Sequence, residues 1–417
     1  MARPAFGLIA LVACGGPIKP TPIAAHAVAG SIASCELATP RRTNVKLRLH
    51  AWLGVVGDRS WLMVERGKDR LELVTLGGDG RLAETELPIK RPNNVWLHVD
   101  GSHLWLEAGH GPYTYYDVDL ASATPTVRVD PTVEPRALGG ASSFTIDTTR
   151  VLFYSFGAAP PGPGFELWDR EHGKTLALVP QTLIGLDEPE KRCVRDHCFA
   201  VPVLGDGPER RLTAFRFAAD GALSKLQLAD DHLAKVVLVP DGDRTHVVWT
   251  SYSRPGLFER TLDDTGDPID SEVMLSPVAS DPELVSGDPV QLAFTGDGRR
   301  WHMATLAPDG RSFAHDTALP LGGYFVTAAP SRDGLLALGF DSDTSIDTAV
   351  PPTKAAAVFV PSGGEPGRPI DVMFGEKHTS WVPFPLVSPG YAAVLLVLEG
   401  YGDPDGELVI LREPCAR

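Results

Sequence analysis

Carboxylates gathered in two stretches have the types and spacing to do chemistry. Asp341, Asp343 and Asp347 stand as D-x-D-x-x-x-D, and Asp403, Asp405 and Glu407 follow some sixty positions later. Clustered hard oxygen ligands suit calcium. Neither stretch has the D-x-[DN]-x-[DN]-G spacing with a distal glutamate, so a solvated acidic loop competes with a metal site. The 12 histidines are scattered singly, and the chain has no G-x-S-x-G elbow, H-E-x-x-H pair, P-loop or G-x-G-x-x-G after a strand. That removes support for the common hydrolase, zincin and nucleotide readings. It leaves open an enzyme whose site is assembled from single residues on several elements. No cofactor is expected, and calcium at Asp341, Asp343 and Asp347 is the one metal reading.

Among the five cysteines, Cys193 and Cys198 bracket Val-Arg-Asp-His, a spacing that suits a disulfide across a tight hairpin. Cys35 and Cys415 form the other candidate pair. Zinc is the rival reading, and no C-x-x-C or nearby paired histidine supports it.

The elements that must carry these residues repeat. An apolar strand, a Gly/Asp-rich turn and a second strand recur about every 47 residues. Examples are LELVTLGGDGRLAETELP from Leu71, FRFAADGALSKLQL from Phe215 and ATLAPDGRSFAHDTALP from Ala304. A short all-strand unit cannot bury its own apolar faces and must stack on its neighbours, so the fold expected is an all-β propeller. Second strands start near Trp61, Leu104, Val151, Cys198, His246, Val290, Leu335 and Tyr391. They give eight blades, with seven the alternative because Pro282 to Asp288 makes a weak innermost strand.

The last repeat has a strand, Glu407 to Leu411, but no partner after it. An N-terminal segment, Cys35 to Thr39, is expected to fill the outer position of that last blade and close the ring. A Cys35–Cys415 bond there would remove loop-closure entropy worth about 4 to 5 kcal/mol.

First-to-second and third-to-fourth strand turns are short and lie on one face, which they trim flat. The opposite face collects longer connections: Asp130 to Ser142, Phe156 to Phe165, Ser276 to Asp288 and Asp341 to Lys354. Function tends to sit on irregular loops held by a rigid scaffold, so this face is the expected binding face. Trp96, His98, Tyr324, His378 and Trp381 fall at the channel ends of innermost strands. They serve either recognition or packing.

Asp and Glu outnumber Lys and Arg by 53 to 38, giving a net charge of −15. Nucleic acid and anionic lipid both need a basic footprint, so neither is an expected partner. No stretch reaches the ~18 consecutive apolar residues of a membrane span.

The N-terminus places Arg3 ahead of an apolar stretch, Ala5 to Ala13, and then reads Leu11-Val12-Ala13-Cys14. This resembles the lipobox of bacterial lipoproteins, which implies a signal peptide over 1–13 and a lipidated Cys14. Residues 14–34, rich in Ala, Gly and Pro, would be a flexible tether, and 35–417 the propeller domain. LWDREHGKT from Leu167 resembles the turn of quinoprotein-like propeller repeats, although Leu178 or Val179 stands where their closing Trp would be. SRDGLLA from Ser331 resembles the turn of TolB-like and WD40-like propellers. A tethered propeller of this kind is also similar to the assembly-factor lipoproteins of bacterial outer membranes.

These readings lead to a non-catalytic binding or scaffold lipoprotein of the cell envelope, extracytoplasmic, monomeric and held to the membrane by lipid alone. Its partner is expected to be an envelope protein or a glycan. The alternative is a propeller enzyme of lyase, glycosidase or lactonase type with its site at the channel mouth.

Overall fold

The computed structural model describes residues within 41–412. It omits 1–40, 413–417 and a set of connections, the longest being 130–140, 156–163, 181–189, 202–210, 342–353, 373–380 and 399–405. Among the described residues the protein is built from thirty antiparallel strands in six sheets. Two sheets have seven strands because one long strand runs through two four-stranded units. These strands are Arg41–Val56, of 16 residues, and Leu223–Asp241, of 19. Counting each of them twice makes 32 strands, or eight units of four.

The first unit continues from Arg41–Val56 through Arg59–Arg66, Arg70–Leu76 and Leu82–Lys90. The second is Asn94–Asp100, His103–Gly109, Thr114–Asp119 and Thr126–Val129, and the third Ala141–Thr145, Arg150–Ser155, Gly164–Asp169 and Lys174–Pro180. The fourth is Glu190–Val194, His197–Val201, Arg211–Phe217 and the first part of Leu223–Asp241. The remainder of that strand opens the fifth unit, which continues with Arg244–Ser251, Leu257–Leu262 and Val273–Ser276. The sixth is Ser280–Val285, Gln291–Thr295, Trp301–Leu306 and Phe313–Ala318, and the seventh Tyr324–Ser331, Gly334–Asp341, Lys354–Pro361 and Ile370–Asp371. The eighth is Trp381–Ser388, Tyr391–Leu398 and Gly406–Arg412, and it takes its fourth strand from the start of Arg41–Val56. There Arg41 pairs with Ile410 and Leu47 with Gly406. The architecture is all-β and propeller-like.

Burial explains why these sequences form these strands. In the second strand of the fifth unit, Thr245 to Thr250 are buried on both faces, which is why the run reads as nearly continuous apolar residues. Outer strands such as Phe313–Ala318 are mostly exposed and read as polar. Successive residues of one strand serve opposite seams. Val236 and Leu238 pack toward the fourth unit with Trp249, Phe258, Phe199 and Leu212. Val237 and Val239 pack toward the sixth with Val248, Leu292, Phe294 and Ala304. Similar clusters join the first unit to the second around Trp61 and Leu104, and the sixth to the seventh around Trp301 and Leu335. Trp249 is fully buried with its ring 5.9 Å from that of Phe258. Truncating a core aromatic of this kind costs about 3 to 5 kcal/mol.

One expectation needs correction. Ser276 to Asp288 is not one long loop, because Ser280–Val285 is a strand within it; the apolar side chains of Pro282 and Val285 are buried and supply the weak innermost strand. The N-terminal strand that completes the eighth unit is described from Arg41, whereas Cys35 to Thr39 lie outside the described residues. No helix among the described residues is long and apolar enough to cross a membrane.

Third-to-fourth strand turns are held by side chains. In the fifth unit, Asp263 Oδ1 accepts from the amides of Thr265 and Asp267, each at 2.9 Å, and from Thr265 Oγ1 at 2.7 Å. Partial burial alone would push the Asp263 carboxyl up, but these hydrogen bonds outweigh it and hold the group below the ordinary carboxylate range. A depressed folded value means that the stabilisation is present above the unfolded value of about 3.9 and is lost as pH falls through the folded one. Asp263→Ala is therefore expected to lower the melting temperature at pH 7, with the gap to the parent narrowing below about pH 4. Melting curves across pH 3 to 7 check this, and a gap that stays constant would refute it.

Candidate functional site

In each unit the first strand begins at the end where the second-to-third connection and the link from the previous unit also lie, as antiparallel order requires. First strands of the fifth and sixth, sixth and seventh, and seventh and eighth units lie side by side. Tyr324 and Trp381 open the first strands of the seventh and eighth units, and so hold corresponding positions on neighbouring strands. Asp341 closes the strand paired with that of Tyr324, at the same end of the sheet. Trp96 and His98 are the third and fifth residues of Asn94–Asp100 in the second unit, in register with Glu107 and Trp105. The structure does not bring them to the Tyr324 and Trp381 strands. His378, Asp343, Asp347, Cys14, Cys35 and Cys415 lie outside the described residues. Cys193 and Cys198 stand directly opposite each other in register, the placement a cross-strand disulfide needs.

The described side chains at this end belong to the fifth and sixth units, and the sequence reading missed them. Tyr252 is 71% exposed and Val278 58%. The Tyr252 amide donates to the carbonyl of His232, at the head of the fifth unit's first strand, at 2.8 Å. The two loops touch at Gly256. Its φ is +116°, and a Cβ there would come within 2.8 Å of the Ser276 carbonyl oxygen and 3.4 Å of Pro277 Cα. Ser251 and Ser253 hydroxyls, 2.8 Å apart, brace the Tyr252 loop. Arg254 lies 3.8 Å over the Phe258 ring and pairs with Glu272 at 2.5 Å.

Between the first strands, Lys235 and Glu283 form an ion pair across the two units. Asp281, next to the start of its strand, has φ 50°, the one non-glycine residue with positive φ among the described residues. Its Oδ2 accepts from Ser280 Oγ at 3.0 Å and Thr295 Oγ1 at 3.2 Å. Strained backbone of this kind concentrates at binding and catalytic positions. The signals in sequence are weak: an aromatic in Y-S-R-P-G and an Asp-Pro step after serine.

A second polar group is closed to solvent. His246 Nδ1 lies 2.9 Å from Glu259 Oε1 and 3.2 Å from Thr261 Oγ1, and Thr261 Oγ1 donates to Glu259 Oε1 at 2.8 Å. His246 Nε2 is 3.6 Å from Asp241 Oδ2. Glu259 is fully buried, and its Oε2 has no partner among the described residues. Gly310, from the sixth unit's turn, lies directly over the group: at φ +70°, a Cβ there would meet His246 Nδ1 at 2.6 Å and Glu259 Oε1 at 2.9 Å. The group therefore fastens the fifth unit to the sixth at the trimmed face.

Nearby, Arg192 of the fourth unit donates from Nη2 to the Gly242 carbonyl at 2.6 Å. Burial pulls its guanidinium down to about 10, against the opposing pull of Asp241 and Asp243. No three metal-ligating side chains come together among the described residues.

No family model and no curated protein matches the chain. Several solved structures are similar to it in shape, among them three propeller-containing folds. A prolyl endopeptidase has 16% identity and a TM-score of 0.43, with 76% of this chain and 46% of that one covered. The chain thus spans under half of that peptidase. The dihydro-heme d1 dehydrogenase NirN has 12% identity, a TM-score of 0.45 and coverage of 91% and 79%. An oligogalacturonate lyase in complex with manganese has 14% identity, a TM-score of 0.47 and coverage of 87% and 98%.

Glu259→Ala strips both His246 and Thr261 of their buried acceptor and is expected to cost about 2 kcal/mol or more. Urea denaturation measures it. A loss within about 0.5 kcal/mol, ordinary for a surface change, would sink the seam assignment.

Proposed function

We propose that this chain is a non-catalytic binding or scaffold protein of the bacterial cell envelope, presenting the long-connection face of a propeller to a protein or glycan partner. The observation that carries this reading is the exposure of Tyr252 and Val278 at that face, beside charged groups already fixed by the scaffold. Aromatic and apolar side chains exposed together, with a charged rim, are the composition of interface centres. At the opposite face the described turns are hydrogen-bonded back on themselves, as in Asp263 to Asp267.

The propeller is read as eight-bladed and ring-closed. The eight four-stranded units support this, as does the pairing of Arg41–Val56 with the last strand. Disulfides Cys193–Cys198 and Cys35–Cys415 belong to the same proposal, the first supported by its cross-strand register. L-V-A-C at Leu11 to Cys14 supports lipidation of Cys14, so that the chain is anchored by acyl groups in the envelope membrane.

Two experiments test the proposal. A photo-crosslinking residue at position 278 is expected to capture an envelope partner in intact cells, while the same residue at position 309, in a trimmed-face turn, is not. Capture only at 309, or at neither position, ends the binding-face reading. Separately, the full chain is expected to partition into detergent in a cloud-point separation, and Cys14→Ser to move it to the aqueous phase. Equal partitioning of the two would exclude the lipid anchor.

A further inference from the structure

We propose that the protein cleaves its own Asp281–Pro282 peptide bond, the Asp281 carboxylate attacking its own carbonyl carbon, and so becomes two polypeptides that stay joined at the seam between the fifth and sixth units.

Three observations single out this bond. In the ladder between the first two strands of the sixth unit, Ser280 pairs with Thr295 and Glu283 with Ala293, so Asp281 and Pro282 together oppose Phe294. This is a β-bulge, and a bulge whose first residue is left-handed ordinarily has glycine there. Asp281 takes that place instead, with φ 50°, and opening the bond that follows lets it leave a strained conformation. Its Oδ2 accepts from Ser280 Oγ at 3.0 Å and Thr295 Oγ1 at 3.2 Å, while Oδ1 has no partner among the described residues. One oxygen is anchored and the other is left to react. Asp281 is exposed to water, and Pro282 is buried.

The nucleophile and the carbon it attacks belong to one residue, so covalent geometry alone brings them together in a five-membered ring. Oδ1 of the ionised carboxylate bonds to the Asp281 carbonyl carbon. The bond from that carbon to the Pro282 nitrogen breaks, and the nitrogen takes a proton from water. The cyclic anhydride left on Asp281 is opened by water, giving a C-terminal aspartate and an N-terminal proline. The net change is the addition of one water across the peptide bond. Proline suits the leaving group, because it departs as a secondary amine, more basic than the primary amine another residue would release.

The chain has five Asp–Pro steps, at Asp130, Asp267, Asp281, Asp288 and Asp403. Asp267, the other one among the described residues, is held differently. Its Oδ1 is paired with Arg216, its Oδ2 accepts from Thr265 Oγ1 at 3.3 Å, and its φ is not positive. After cleavage at Asp281 the two units still hold together, since Val237 and Val239 pack on Leu292 and Phe294, and Lys235 pairs with Glu283.

The test incubates the purified full chain with protease inhibitors in mildly acidic buffer, which supplies the proton for the departing nitrogen. Intact mass and N-terminal sequencing follow the products. A fragment beginning at Pro282 is expected, formed at least about tenfold faster than from the same chain in guanidinium chloride, where the bulge is lost. The other four Asp–Pro steps are internal controls, expected to be cut no faster in the folded chain than in the unfolded one. Asp281→Asn and Asp281→Gly both tolerate positive φ, are expected to melt as the parent does, and are expected to abolish the fragment. The two pieces are expected to run together on native gel filtration.

Absence of the fragment overturns the proposal, as does its formation at the unfolded rate or its persistence in both variants. Equal cleavage at all five steps in the folded chain would mean that ordinary Asp–Pro lability is being read, and also overturns it. Pieces that separate on native gel filtration would overturn the claim that the seam holds them.

Discussion

Each four-stranded unit has two apolar faces and no layer of its own to cover them, and everything else in the molecule answers that constraint. The side chains of one strand are divided between two neighbours: Val236 and Leu238 look to the fourth unit, Val237 and Val239 to the sixth. A unit removed from the array would present both sets to water, at about 25 cal/mol for each Å² of apolar surface. Stability is therefore a property of the seams more than of the sheets, as in other stacked-repeat proteins.

The polar groups of these seams are tied into hydrogen bonds, although Glu259 Oε2 and Arg192 Nη1 are left without a partner among the described residues. His246 and Thr261 share Glu259 Oε1 beneath Gly310. Arg192 reaches across the neighbouring seam to a backbone carbonyl. Both contacts lie at the trimmed face. At the opposite face the same two units carry their exposed aromatic, their strained Asp281 and the Lys235–Glu283 ion pair. One end of the seam is thus given to cohesion and the other left available for contact.

The strands were legible because their burial is legible. Turn signals such as Ser331 to Gly334 and Pro240 to Gly242 fall at first-to-second hairpins, where the chain must reverse within two residues. The segment after Ser276 was harder, since Asp281, Pro282 and Glu283 all argue against a strand. It forms one because Pro282 and Val285 are buried and Glu283 finds Lys235 on the adjoining unit. The exposure of Tyr252 and the positive φ of Asp281 were not legible, because nothing in their own repeats marks either one. His246 was hidden in the same way: a lone histidine in a strand gives no sign that Glu259 and Thr261 sit on the next strand at hydrogen-bond distance.

The 19-residue strand Leu223–Asp241 is the outer edge of one unit and the inner edge of the next, with no loop between. Loops let most neighbouring units move apart without disturbing either sheet; here the covalent chain itself is the splice. Under a pulling force, the fourth and fifth units would share load as one mechanical block. The bulged pairings on this strand, near Leu212 and around Leu233, mark where that block bends from one sheet into the other.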